Sequence, residues 1–394
     1  MEALDVTDVL RLKPGPHRIL EGAPWAYRGE LYHSNLQPGS IVALEESNGR
    51  FVGRGFFNPA SLIAFRLLTR NVHDVIDDHW FQARVGEAAR LRFELLKDRE
   101  AYRVVNSEAD QLPGLIVDKY GPMLVMEILS LGLQPFRQAI VEALVDLYHP
   151  QGIYERGDVA VRAKEGLPRE DQLLYGTLVS PVTIQENGVS LTIDVAGGQK
   201  TGHFLDQYAN RKRTAELAGG KEVFDAFCHT GAFGLTCAKY GAKHVVGIDI
   251  DGRAIARAQE NARQNGLEQH MEFVTANAFD WLRQESDKGP QYDLGILDPP
   301  AFTKSKDAVA GALRGYKEIN LRGMKLIKPG GILVTSSCSY HISETQFIEV
   351  IRDAAKDAKR PVKILEIRGQ GLDHPMAPGL PESRYLKCLV CAVD

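Results

Sequence analysis

Five short apolar runs punctuate the second half of the chain, at residues 223–227, 245–249, 272–275, 294–297 and 332–336. Their length and composition are those of strands buried on both faces. Helical stretches, including 251–265 and 312–327, fill the intervals. This alternation predicts a doubly wound, Rossmann-like parallel sheet with helices on both sides. A helix over 343–359 and two closing strands, 362–367 and 385–393, come last. The connection between those two strands is rich in Gly and Pro, which predicts an antiparallel pair.

The first 75 residues have another texture. Short strand-like runs, such as 39–44 and 50–57, are separated by turn signals, and Asn48-Gly49 marks a hairpin between them. A small β-barrel is expected here. From 76 to 188 a helix over 78–97, strands at 115–118 and 123–129 joined by Lys119-Tyr120-Gly121-Pro122, and a helix over 134–147 predict an α+β domain. The whole is thus α/β and multidomain, divided at 1–75, 76–188 and 189–394.

Composition narrows the classes. At 394 residues with 44% hydrophobic and 25% charged positions, the chain is an ordinary globular one. Its net charge of −4 carries no global signal for nucleic acid. The segment 1–75 holds eight Lys/Arg against eight Asp/Glu, so any RNA contact must be a local patch. No run approaches the ~18 apolar residues of a membrane span, and the amino-terminal residues lack a secretion signal. Five cysteines, an odd number, do not form a disulfide framework. A reducing cytoplasmic compartment is expected.

Candidate chemistry lies at the carboxyl ends of the strands. The first leads into Asp225-Ala226-Phe227-Cys228-His229-Thr230-Gly231-Ala232-Phe233-Gly234, a glycine turn that lets backbone approach a ligand. G-x-G-x-x-G is absent, which disfavours a dinucleotide and suits an adenosine ligand without a pyrophosphate. Asp249 ends the second strand, where a carboxylate accepts from ribose hydroxyls; Asp251 is assigned to the helix cap. Asn277 follows the third strand, either as an acceptor for an adenine amino group or as another N-cap.

Asp298-Pro299-Pro300 follows the fourth strand, its two prolines stiffening the loop that carries the carboxylate. The fifth ends in Ser336-Ser337-Cys338-Ser339-Tyr340-His341, after which Ser343 and Gln346 read as a capping box. Cys338 therefore stands between a strand end and a helix N-terminus, a setting that favours a thiolate. If the fourth and fifth strands are neighbours, Asp298 and Cys338 flank one pocket. Cys228 is placed near that crevice and Cys237 on a sheet-packing helix. Cys388 and Cys391 form a C-x-x-C, but in a strand an odd spacing sends them to opposite faces, so no metal site is expected.

Together these residues resemble the S-adenosylmethionine-dependent 23S ribosomal RNA cytosine-5 methyltransferases of the RlmI type. The resemblance spans nearly the whole chain: Gly55–Ile63, which looks like that family's PUA domain, Asp110–Leu115, Gly198–Gln207, Asp225–Gly234, Asp298–Phe302 and Ser337–Ser339. It implies S-adenosyl-L-methionine held by Lys200, Thr201, Phe204, Gln207, Asp225, Phe227, Gly231, Asp249, Asn277 and Asp298. It further implies Cys338 as nucleophile and Asp298 as the acid contacting the base. Large-subunit ribosomal RNA would be the partner. Local basic groups, among them Arg211, Lys304 and Lys306, are expected to contact its phosphates. Other RNA cytosine-5 methyltransferases carry a second cysteine where this chain has Ala301-Phe302, so the base that removes the C5 proton is unassigned, with His341 a weak candidate. The oligomeric state is open, a homodimer included. Two rival readings are an amino-group methyltransferase using Asp298-Pro-Pro with Cys338 idle, and a non-catalytic RNA-binding ribosome-assembly protein.

Overall fold

The structure, a computed structural model, describes residues 8–198, 201–303 and 305–394. The chain forms two compact units. One comprises Met1–Ile184, Ile193–Leu205 and Leu372–Ser383; the other comprises Gln185–Thr192, Asp206–Gly371 and Arg384–Asp394.

In the first unit, five strands pair in the order Val9–Arg11, Ile41–Glu45, Phe51–Phe57, Ile63–Thr69, Trp25–Tyr27. The two outer strands meet again beyond their ends: Tyr32 N–H donates to Arg11 O at 2.9 Å and Lys13 N–H to Glu30 O at 2.8 Å, beside a Leu12–Leu31 bridge. That closes the expected barrel around Leu10, Leu12, Val42, Leu44 and Phe65. Asn48-Gly49 makes the expected hairpin, with Gly49 at φ +86°. Gly55 is required inside its strand, because a Cβ there would stand 2.1 Å from the Arg66 carbonyl oxygen.

The same unit holds a second sheet, ordered Gln172–Gly176, Gly152–Glu155, Met123–Ile128, Leu115–Tyr120, Ala101–Asn106. Helices Asp78–Leu95 and Arg137–Tyr148 bury Phe81, Val85, Ile140 and Leu144 against its Val117 and Leu124. Asp77 starts the first helix by accepting from Trp80 N–H at 2.9 Å. The second begins at 137 rather than 134, since Pro135 lies in a preceding 3-10 turn, Leu131–Phe136. The strand expected to end at 118 runs to Tyr120, leaving Gly121-Pro122 as the turn.

The second unit is built on seven strands, numbered along this sheet: β1 Glu222–Ala226, β2 His244–Asp249, β3 Met271–Thr275, β4 Tyr292–Leu297, β5 Ile327–Ser337, β6 Val362–Arg368 and β7 Lys387–Val393. Their order is β3-β2-β1-β4-β5-β7-β6. All neighbours are parallel except β7, which runs antiparallel to both β5 and β6, as expected for the closing pair. The order reverses between β1 and β4, the switch point where such sheets bind ligands beyond their carboxyl ends. Helices Ala278–Ser286, Val309–Leu326 and Glu344–Ala358 cover one core that includes Phe224, Tyr316, Leu333 and Phe347. Leu389, Cys391 and Val393 face that core, while Cys388 and Val390 join Val334 on the other face. The C-x-x-C therefore points two ways and chelates nothing as a pair. Among the described residues no helix is long and apolar enough to cross a membrane.

Candidate active site

The loop after β1 is shaped by conformation and by carboxylates. Phe227 and His229 adopt φ of +66° and +51°, and Gly231 one of +83° before capping the helix Ala232–Lys239. Positive φ at two non-glycine residues is strain that surrounding bonds must hold. Asp249 supplies one: its Oδ2 accepts from His229 N–H and its Oδ1 from Asp251 N–H, both at 2.9 Å. Asp251 itself caps the helix Gly252–Gln264 by accepting from Arg253 N–H. Asn277 likewise accepts from Phe279 N–H at 2.9 Å, so its oxygen serves as an N-cap. Phe227, Phe279 and Phe302 cluster at centroid separations of 5.6 to 6.4 Å, an apolar wall beside the strand ends.

Asp225 lies deepest. It is 1% exposed, its Oδ2 accepts from Gly234 N–H at 2.9 Å, and its Oδ1 has no hydrogen-bond partner among the described residues. Burial pushes its carboxyl up to about 8, against the pull of the Gly234 N–H, and the charges of Asp298 and Asp249 add to the rise. Three acidic groups thus crowd the switch point, with Asp225 Oδ1 unanswered. S-adenosylmethionine carries a sulfonium and an ammonium, so the donor set fits a cationic adenosine ligand; Asp225, Asp249 and the glycine turn would hold it.

Asp298 stands one residue beyond β4 and is partly buried. Its Oδ1 accepts from Gln207 Nε2 at 2.8 Å, and the same amide nitrogen reaches Ser336 Oγ on β5 at 3.3 Å. β4 and β5 are neighbours with Leu297 opposite Thr335, which brings the two strand tips together as the sequence implies. Cys338 lies just past β5 with its Sγ 3.9 Å from Pro299 O, in the turn that carries Asp298. It is the one cysteine of the five that is not buried. Burial pushes the thiols of Cys388 and Cys391 up to about 12 and raises those of Cys228 and Cys237 as well.

The loop bearing Cys338 is clamped through the next residue. Ser339 Oγ lies 2.9 Å from Tyr316 Oη and accepts from Phe302 N–H, while Ser339 O accepts from Lys387 Nζ at 2.8 Å and from Ile342 N–H. The expected capping box follows, with Ser343 and Gln346 exchanging bonds of 2.9 and 3.2 Å.

Several expected contacts are corrected. Arg211, expected at RNA phosphate, is instead 2% exposed, donates to both Glu186 carboxylate oxygens at 2.5 and 2.9 Å, and lies over the Phe233 ring. Its helix, Tyr208–Glu216, turns that face inward together with Thr214 and Ala215. Thr201, expected at the cofactor, is 1% exposed and its hydroxyl is bonded to Asp118 Oδ2 at 2.5 Å and Tyr120 Oη at 2.9 Å, all in the first unit. Phe204 is partly buried. Gln207 binds Asp298 through its amide nitrogen. Lys200, Lys304 and the side chain of Lys306 lie outside the described residues. Lys387 and Tyr316 were missed. The available signal for the first was a lone lysine heading an otherwise apolar strand, a placement lysine almost never takes without a reason.

The strand order with its inserted antiparallel β7, the glycine turn and the carboxylates at the switch point define an S-adenosylmethionine-dependent methyltransferase. The family described as S-adenosylmethionine-dependent methyltransferase matches residues 168–370, and the PUA-like domain family matches residues 10–70. The ribosomal RNA large subunit methyltransferase I of Shewanella denitrificans is 40% identical over 392 residues, covering 98% of this chain and 99% of that protein. Its namesake from Aeromonas hydrophila is 41% identical, covering 94% and 96%. The chain belongs to this ribosomal RNA large subunit methyltransferase I family. Among solved structures, a putative methyltransferase complexed with SAH has a TM-score of 0.85 at 22% identity, covering 98% of this chain and all of that one. A putative S-adenosylmethionine-dependent methyltransferase from Streptococcus mutans has a TM-score of 0.84 at 23% identity over the same shares. At those identities they attest the fold.

Proposed function

We propose that this enzyme methylates carbon 5 of a cytosine in large-subunit ribosomal RNA, with Cys338 adding covalently to C6. The observation that carries this reading is Cys338 itself: the one cysteine not buried, 3.9 Å from the Pro299 carbonyl, beside the Asp298 turn. An amino-group methyltransferase has no use for a thiol there. The curated relatives' name supplies the RNA class.

Cytosine C5 is a poor nucleophile. When the Cys338 thiolate forms a bond to C6, the C5=C6 pair becomes available at C5. S-adenosylmethionine, when bound, supplies the sulfonium methyl as electrophile. Asp298, oriented by Gln207, takes up a proton from solvent as the base binds and holds it toward N3 and the exocyclic amine as charge builds there. A base then takes the C5 proton, that bond's electrons restore C5=C6, and the C6–S bond breaks to release Cys338. In this reading residues 1–75 form an RNA-contacting PUA-like domain, 76–188 a middle domain and 189–394 the methyltransferase domain, and Lys304 and Lys306 meet phosphate.

The test is the identity of the product. Large-subunit RNA lacking the modification is incubated with enzyme and methyl-labelled donor, then digested to nucleosides. Label in 5-methylcytidine supports the proposal, whereas label in an N-methylated purine overturns it.

A further inference from the structure

We propose that Lys387 is a positioning residue that holds Cys338 as a thiolate and fixes the loop that aims it. This rests on Cys338 being the nucleophile, and it concerns a residue on a different strand.

Lys387 brackets Cys338 from both sides. Its backbone pairs with Ser337, the residue before the cysteine, in the β5–β7 ladder. Its Nζ donates to Ser339 O, the residue after, at 2.8 Å, and to Tyr385 O at 2.8 Å. The side chain is buried, the whole residue being 3% exposed. Both of these acceptors are neutral carbonyls, and a buried ammonium is costly without an anion nearby. Two ionisable groups act on it, Cys338 and Glu344, each drawing its basicity upward while burial, the larger effect, pushes it down to about 8. Glu344 is already engaged by Arg384 Nη2 at 2.5 Å. Of the two, Cys338 is the one whose neighbours in the chain, Ser337 and Ser339, Lys387 itself binds.

The ionisable groups that interact with the thiol include Lys387 from β7 and Tyr316 from the helix Val309–Leu326, with Asp298 and His341 on the two loops that meet at Cys338 and Glu344 pairing with Arg384 at the start of the next helix. The Lys387 ammonium favours ionisation of the thiol. At neutral pH the lysine keeps its proton while the thiol yields its own to solvent, leaving an ion pair that the carbonyl of Ser339 holds in register.

The experiment follows alkylation of Cys338 by iodoacetamide against pH in the full-length protein, read by mass spectrometry of the peptide that contains it. Wild type is compared with Lys387→Met and Lys387→Arg. The expected wild-type midpoint lies below the ordinary thiol value of about 8.5. In Lys387→Met it should rise by about one pH unit, with roughly tenfold slower labelling at neutral pH. Lys387→Arg should restore the low midpoint, which a merely structural role would not explain. A wild-type midpoint at or above the ordinary value overturns the proposal even if the methionine variant does not fold, as does an unchanged profile in a folded Lys387→Met protein. Methyl transfer by Cys338→Ala is measured alongside: retained transfer refutes the covalent reading and leaves the thiol profile to stand or fall alone.

Discussion

Gln207 Nε2 donates to Asp298 Oδ1 at 2.8 Å, and Gln207 Oε1 is itself held by Asn210 Nδ2 at 2.6 Å. The second bond fixes which end of the amide faces the aspartate, because Asn210 offers a donor and so requires the oxygen. Asn210 is in turn anchored by the Gly369 carbonyl at 3.1 Å. A relay of amides therefore sets the direction of the Asp298 carboxylate.

Gln207→Ala should leave the fold intact and lower kcat/KM about ten- to a hundredfold, the range for losing a hydrogen bond to a charged group. Gln207→Glu should be worse, since it sets a second carboxylate against Asp298. Steady-state methyl transfer checks both; equal activity in all three proteins would remove the relay from the mechanism.

The raised carboxyl of Asp225 gives a pH dependence of definite sign. Between the ordinary carboxyl value, near 4, and its folded value of about 8, the folded state binds a proton that the unfolded state has released. Its effect on stability is thus most favourable below pH 4 and is lost as pH rises through 8. A cationic ligand favours the ionised form, so binding of S-adenosylmethionine should release a proton and tighten as pH rises from 6 to 8. Asp225→Asn should flatten that slope. Calorimetry in buffers of different ionisation enthalpy reads the proton directly.

Arg211 and Glu186 are each 2% exposed at the side chain and bonded at both oxygens. Arg211→Met should cost about 3–5 kcal/mol by leaving a buried carboxylate unpaired. Adding Glu186→Met should recover most of it. Denaturant unfolding measures the loss, and the salt dependence of RNA binding should stay unchanged.

Five free thiols differ in access. A disulfide reagent added to the folded protein should find one fast thiol and release the remaining four only on unfolding. Cys338→Ala should abolish the fast phase, and a second fast thiol would contradict the burial of Cys228, Cys237, Cys388 and Cys391.

The sheet was legible because buried parallel strands leave unbroken apolar runs. All five runs in the second half became strands, and the Gly- and Pro-rich connection announced the antiparallel pair. Asp251 and Ser343 could be assigned as caps from one side-chain oxygen at the right offset. Ion pairs were not legible. Arg211 meets Glu186 across 25 positions and Thr201 meets Asp118 across 83. Nothing local in either stretch announces the partner, so a buried arginine read as a surface cation and a structural threonine as a ligand contact. Lys387 reached Ser339 by the same long-range route, through β7 lying beside β5.

The most direct measurement replaces the target cytosine with 5-fluorocytidine and looks for a complex of protein and RNA that survives denaturation. Fluorine cannot leave C5 as a cation, so after methyl transfer the C6–S bond should persist. A stable complex is expected with the wild-type enzyme and S-adenosylmethionine, its mass increment on the peptide containing Cys338, and none with Cys338→Ala. Transfer of the methyl group at an undiminished rate by Cys338→Ala, with no trapped complex from either protein, would contradict it.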